Sequence, residues 1–188
     1  MFDFTTFPVI ETERLILRAM TQDDARALLL IRGDPRVTRY NTVPVLRSLE
    51  DAQDLITRVQ QAYEEQYRID WGITWREQPH IGLIGRIGYN YLLHDEARSS
   101  VGYDVAFAYW RRGIATEALR AIIGFGFSEL CLREVNADAF RQNRASCRVL
   151  EKVGFRFVGM ESEYDTGVLR HRMHYTLTAR MWQRARGG

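Results

Sequence analysis

A short apolar run framed by charges, E-R-L-I-L-R from Glu13 to Arg18, predicts a first strand. Thr21, followed three residues later by Asp24, has the spacing of a capping box and opens a helix to about Arg32. Gly33-Asp34-Pro35 ends that helix, and a loop through Asn41 and Pro44 leads to Ser48, the N-cap of a long helix with one polar face that runs to about Tyr67. Three segments rich in Ile, Val, Tyr and Trp follow with short breaks: Ile69 to Trp75, His80 to Leu92 and Ser99 to Phe107. Such runs read as an antiparallel meander. Beyond it the pattern is helical from Gly113 to Leu130, strand-like from Glu134 to Ala139 and helical again from Asn143 to Val153. Phe155 to Arg180 reads as two more strands with a turn at Thr166-Gly167. The order β, α, α, β, β, β, α, β, α, β, β predicts an α+β fold, a mixed sheet with helices packed on its faces.

Composition narrows the class. With 188 residues, 46% hydrophobic and 27% charged, the chain can form one core, and residues 1–188 are read as a single domain. No apolar run approaches the roughly 18 residues that span a bilayer, and Asp3, Glu11 and Glu13 stand where a secretory leader would be basic and then apolar. A cytoplasmic protein without a membrane partner is expected. Two cysteines, Cys131 and Cys147, are too few for a disulfide framework and too far apart for a zinc knuckle, so both are read as reduced thiols. The net charge is +2, and Lys152 is the single lysine. Because the arginines are dispersed among 24 acidic residues, no nucleic-acid partner is expected.

Chemistry concentrates in W-R-R-G-I-A-T-E-A, Trp110 to Ala118, between a strand and a helix. Gly113 and the small Ala115 let main chain approach a ligand closely, and the first-turn N–H groups of the helix have no intrahelical partner. The helix dipole and the charges of Arg111 and Arg112 make this turn an anion site suited to a pyrophosphate. The same pattern is also ordinary α/β architecture. Neither G-x-x-x-x-G-K-[ST] nor G-x-G-x-x-G occurs, so a nucleoside-triphosphate loop is excluded and a dinucleotide fold disfavoured.

Four motifs in order, T-E-R-L-I-L-R (Thr12 to Arg18), V-G-Y-D-V (Val101 to Val105), W-R-R-G-I-A-T-E-A and N-R-A-S-C-R-V-L-E-K-V-G-F (Asn143 to Phe155), resemble the GNAT superfamily of acetyl-CoA-dependent N-acetyltransferases. Within it, the resemblance is to the branch of ribosomal-protein N-terminal alanine and serine acetyltransferases. The family's pyrophosphate loop is [QR]-x-x-G-x-[GA]; here Trp110 takes its first position and Gly113 and Ala115 its small-residue positions. Arg111 stands where relatives often carry glycine, which stiffens the loop.

The resemblance implies a mostly antiparallel sheet that splays apart, with Tyr103, Asp104 and Val105 offering main-chain groups to the pantetheine arm of acetyl-CoA. It implies that Arg111, Arg112, Gly113, Ile114, Ala115 and Thr116 hold the pyrophosphate and that Asn143 caps a helix, bonds the arm, or does both. Ser146 matches a serine that protonates the leaving thiolate, or else serves as an ordinary first-turn residue. Leu150 occupies the place of the tyrosine that many relatives use as the acid. Glu163 matches, across a two-residue gap, a glutamate proposed as the base; Asp104 is the alternative, although strand alternation turns it to the other face. Glu117 reads as structural.

Other readings compete for the remaining side chains. His171 and His174, three apart on a strand, face opposite sides and cannot converge on a metal. Cys147 could carry an acyl group but has no base partner, so packing is its simpler role. Tyr89, Asn90 and Tyr91 alternate across a sheet and could line an acceptor cleft, and Trp71 and Trp75 read as core. The reaction implied is direct transfer from acetyl-CoA to a primary amine, a peptide α-amine ahead of a small molecule, with a non-catalytic acyl-CoA sensor as the rival. The chain is expected to be a monomer or homodimer.

Overall fold

A computed structural model describes residues 2–41, 44–165 and 168–186. Its strands are β1 (Ile10–Glu11), β2 (Leu15–Ala19), β3 (Ile69–Trp75), β4 (Leu83–Leu93), β5 (Arg98–Val105), β6 (Glu134–Phe140), β7 (Arg156–Asp165) and β8 (Val168–Thr178). The helices are α1 (Ala25–Arg32), α2 (Pro35–Thr38), α3 (Leu49–Glu64), α4 (Ile114–Ser128), α5 (Arg144–Val153) and α6 (Ala179–Arg186). The strands form one sheet in the order β1-β2-β3-β4-β5-β6-β8-β7, antiparallel everywhere except between β5 and β6. The mixed, mostly antiparallel fold is the one anticipated.

Local chemistry accounts for the helix starts. The Asp24 carboxylate accepts the Thr21 N–H at 2.9 Å, so the capping box forms, through one 3₁₀ turn ahead of α1. At α3, Ser48 Oγ accepts the Asp51 N–H and Asp51 accepts the Ser48 N–H, both at 3.0 Å. One stripe of α3, Ala52, Ile56, Val59 and Tyr63, is buried. Each fully buried aliphatic side chain of this kind contributes about 1.5–3 kcal/mol.

Two cores lie on opposite faces of the sheet. Helices α4 and α5 cover one face with Ile114, Leu119, Ile122, Ile123, Leu150 and Val153 against Trp71, Ile87, Val101, Val135 and Tyr175. Helices α1 and α3 build the other with Leu28, Ile31, Ile56 and Val59. Tyr89 belongs to the α4 core, fully buried and donating to the Ile122 carbonyl, rather than to a cleft. A Cβ at Gly126 would lie 2.0 Å from the Tyr89 hydroxyl, which is why α4 carries glycine there.

Three features depart from the sequence reading. The strand expected from His80 begins at Leu83, after a short turn at Pro79–Ile81. The chain after Thr178 is helical: Thr178 Oγ1 accepts the Met181 N–H at 3.3 Å, and Trp182 packs on Phe127 of α4. Strand β4 carries a bulge at Asn90, so Tyr89, Asn90 and Tyr91 do not alternate regularly; Asn90 bonds Ser100 Oγ at 3.1 Å. The turn at Thr166-Gly167 lies outside the described residues.

Candidate active site

The parallel pairing of β5 with β6 lasts for three residues, Arg98 to Ser100 against Glu134 to Asn136. Beyond it the strands separate, next to the Asn90 bulge, where a locally stronger twist is expected. Ala106 donates its N–H to the Ile84 carbonyl on β4. Two-residue alternation then turns the main chain of Tyr103 and Val105 to the opposite edge, into the slit between β5 and β6. The Val105 carbonyl is taken by the Trp110 indole N–H at 2.7 Å. The Tyr103 amide groups and the Val105 N–H remain for an extended, amide-bearing ligand.

Asp104 does not share that edge, and this corrects its assignment among the slit-facing groups. Alternation directs its main chain to Arg86 on β4 and its side chain to the α1 face. There Asp104 is 7% exposed, accepts from Asn41 Nδ2 at 2.8 Å, and lies 3.7 Å from Arg32 and 3.8 Å from Arg86. Arg86 continues to Asp70 at 2.7 Å, and Asp70 pairs with Arg68. A carboxylate so enclosed is an element of a buried ion chain.

At the end of β5 the chain passes through a 3₁₀ turn, Phe107–Tyr109, to the loop before α4. Gly113 has φ +79° and Arg111 φ +61°, both in the left-handed region. The first α4 bond runs from the Glu117 N–H to the Gly113 carbonyl, so the preceding N–H groups up to Thr116 are directed outward without intrahelical partners. Such a cradle of outward N–H groups has the chemistry to take a diphosphate, and the Arg112 guanidinium lies over the neighbouring Tyr109 ring. The donor set fits the pyrophosphate of acetyl-CoA.

The cradle is braced from the N-terminal segment. Glu117 accepts from Thr12 Oγ1 at 2.6 Å, from the Arg14 N–H at 3.0 Å and from Arg14 Nε at 2.7 Å. Arg14 also donates to the Arg112 carbonyl at 3.0 Å, and its guanidinium would meet a Cβ at Gly113 at 3.3 Å. Burial pushes the Glu117 carboxyl up, but the bonds from Thr12 and Arg14 outweigh it and hold it below its ordinary value. The structural reading of Glu117 thus acquires a partner that sequence analysis did not name.

Left-handed backbone at a residue with a Cβ costs roughly 1–2 kcal/mol. Arg111→Gly and Arg111→Ala lose the same charge, but only glycine relieves the strain. The glycine variant is expected to melt about 2–4 °C higher than the alanine variant, corresponding to about 1 kcal/mol. Thermal unfolding of the pair checks this; equal melting temperatures would remove the strain assignment.

Across the slit, Asn143 caps α5, its Oδ1 accepting the Ser146 N–H at 3.2 Å. Ser146 in the first turn faces β5, and the Tyr103 hydroxyl lies 2.9 Å from its Oγ. Leu150, one turn further along, is buried. Cys147 is partly buried; its Sγ lies 3.8 Å from the Phe140 carbonyl and also neighbours the Tyr175 hydroxyl.

Glu163 lies on the edge strand β7, two strands beyond β6, and its side chain shares the face opposite α5 with Arg172. The pair is 2.6 Å apart. On that face His174 Nδ1–H donates to the Asp138 carboxylate at 2.7 Å, with Glu161 3.7 Å from Nε2. His171 turns the other way and bonds Ser162 at 2.9 Å. The two histidines do not converge, and no cluster of three metal-ligating side chains occurs among the described residues. No described helix is long and apolar enough to cross a membrane.

Comparison with known proteins adds a family to this geometry. The model of the acetyltransferase (GNAT) domain matches residues 14–156. A Bacillus subtilis relative, the uncharacterized N-acetyltransferase YoaA, is 37% identical over 84% of this chain and 88% of its own length. A GNAT-family acetyltransferase from Bacillus anthracis superimposes with a TM-score of 0.80 at 23% identity, covering 91% of this chain and 98% of that one. The ribosomal L7/L12 α-N-protein acetyltransferase RimL, in complex with coenzyme A, gives 0.82 at 18% identity, with 91% and 98% covered. At such identities the two structures report likeness of fold.

Proposed function

The chain belongs to the GNAT acetyltransferases and is an acetyl-CoA-dependent N-acetyltransferase, and from that premise we propose that residues 1–188 act as one catalytic unit on a peptide or protein N-terminal α-amine. Tyr103 and Val105 main chain would hold the pantetheine arm, with Asn143 Nδ2 as a further donor. The loop from Arg111 to Thr116 would hold the pyrophosphate. Transfer is direct: the amine attacks the thioester carbonyl from the side opposite α5, and Ser146 supplies a proton to the departing thiolate. Glu163 is the acceptor-side carboxylate, receiving the amine's proton through water. The two unbridged cysteines support a cytoplasmic setting.

One observation carries the choice of acceptor: the carboxylates that could serve as base are already ion-paired. Asp104 lies in the buried chain and Glu163 holds Arg172. Either carboxylate would have to give up an arginine partner before it could approach an amine. An α-amine, with an ordinary pKa of about 7.7–8.0, is substantially neutral near pH 8, whereas a lysine amine near about 10.4 needs strong deprotonation. The RimL likeness, a protein α-N-acetyltransferase of the same fold, agrees with this reading.

The test is a competition. Ser- and Ala-starting peptides are mixed with N-terminally blocked, lysine-containing ones, and the acetyl group is located by mass spectrometry. Label on α-amines is expected. Label on lysine side chains alone would refute the preference, and no label on any peptide would point to a small-molecule amine.

A further inference from the structure

The bond between Tyr103 and Ser146 joins the two walls of the slit, from β5 to the first turn of α5. Tyr103 Oη is 2.9 Å from Ser146 Oγ and 3.5 Å from the Ser146 carbonyl, so the hydroxyl-to-hydroxyl contact is the stronger. A serine in a first helical turn ordinarily spends its proton on nearby main chain. A phenol that donates to Oγ would change that, because the remaining lone pair and proton are then directed elsewhere. Burial pushes the Tyr103 phenol well above the tyrosine range, against a smaller opposite pull from the Ser146 bond, so it keeps the proton it needs to act as a donor. Leu150 is apolar and 1% exposed, so the next turn of α5 offers no competing hydroxyl at that position.

We infer that Tyr103 is a positioning residue for the transfer: its phenol donates to Ser146 Oγ and thereby aims the serine's own O–H at the departing sulfur. The inference rests on the assignment of Ser146 as the acid. As the amine nitrogen bonds to the acetyl carbon, the C–S bond breaks and its electron pair stays on sulfur. Ser146 passes its proton to that sulfur, and the proton lost by the amine nitrogen, taken up through water by Glu163, is returned through solvent to Ser146. One N–H is broken and one S–H is formed, while Tyr103 keeps its proton throughout. Its bond also stabilises the negative charge that gathers on Oγ during the transfer.

The test is a double-mutant cycle of Tyr103→Phe and Ser146→Ala, with CoA release read by thiol titration using whichever amine the protein accepts, or water where none is added. Tyr103→Phe is expected to lower kcat about tenfold and leave the KM for acetyl-CoA within about twofold, a split that lost packing would not give. In the Ser146→Ala background, removing the phenol should have no further effect. With acetyl-selenocoenzyme A, whose selenolate leaves without a proton, the Tyr103→Phe defect should largely vanish.

Multiplicative effects of the two substitutions, a defect confined to KM, or an undiminished defect with the selenoester would overturn the inference. If Tyr103→Phe loses its cooperative melting, 3-fluorotyrosine placed at position 103 keeps the ring and is a stronger donor. It should hold or raise kcat, and a tenfold fall would be equally fatal. A wild-type protein that binds acetyl-CoA but releases no CoA, even to water, would overturn the assignment of Ser146 as well.

Discussion

Gly113→Asp is expected to stay folded and to lose about a thousandfold in affinity for acetyl-CoA. Aspartate tolerates left-handed backbone better than most residues, so the φ of +79° at this position does not by itself unfold the loop. The substitution places a carboxylate where the outward N–H groups of the first α4 turn collect negative charge. Two unit charges 4 Å apart at an effective dielectric of 20 repel by about 4 kcal/mol, which is close to three powers of ten in Kd. Gly113→Asn has nearly the same shape and no charge, so it isolates the electrostatic part and should retain much of the binding. Titration calorimetry of the two variants decides the matter. Unchanged affinity in Gly113→Asp would remove the diphosphate from this loop.

Ser146→Ala is expected to lower kcat by about 10²- to 10⁴-fold, the usual contribution of a general acid or base, with little change in the KM for acetyl-CoA. The cap uses the Ser146 N–H and Asn143 Oδ1, both of which survive the substitution. Helix α5 should therefore form as before. A loss below about threefold would leave Ser146 as a first-turn residue and no more. Steady-state kinetics with an accepted amine, alongside a melting curve, provides the measurement.

The sequence was most informative where structure is set by neighbours in the chain. Thr21 with Asp24, and Ser48 before α3, mark helix starts because the capping donors and acceptors lie within three residues. The meander of β3, β4 and β5 was legible for the same reason. The helix after Thr178 was not: Met181 and Trp182 follow directly on a strand, and Trp182 packs on Phe127, more than 50 residues away. The slit was anticipated only through family resemblance, since the end of β5–β6 pairing depends on residues more than 30 positions apart. Tyr103 was recognised for its main chain. Its phenol found a role only when folding brought it to Ser146, 43 residues on. Strand alternation placed Asp104 on the far face, but nothing in its surroundings revealed Arg32, Arg86 and Asn41 as its companions.

The brace from Thr12 and Arg14 to Glu117 makes this segment a silent part of the proposed cofactor site. It fixes the Arg112 carbonyl and rests against Gly113. Since coupling between two sites is reciprocal, whatever loosens this segment weakens the cradle, and whatever fills the cradle tightens the segment. Fusion tags, trimming or a binding protein at the first dozen residues would then be felt as altered affinity for acetyl-CoA, 100 positions away in sequence. Proteolytic susceptibility near Arg14 would, in return, serve as a gauge of cofactor occupancy.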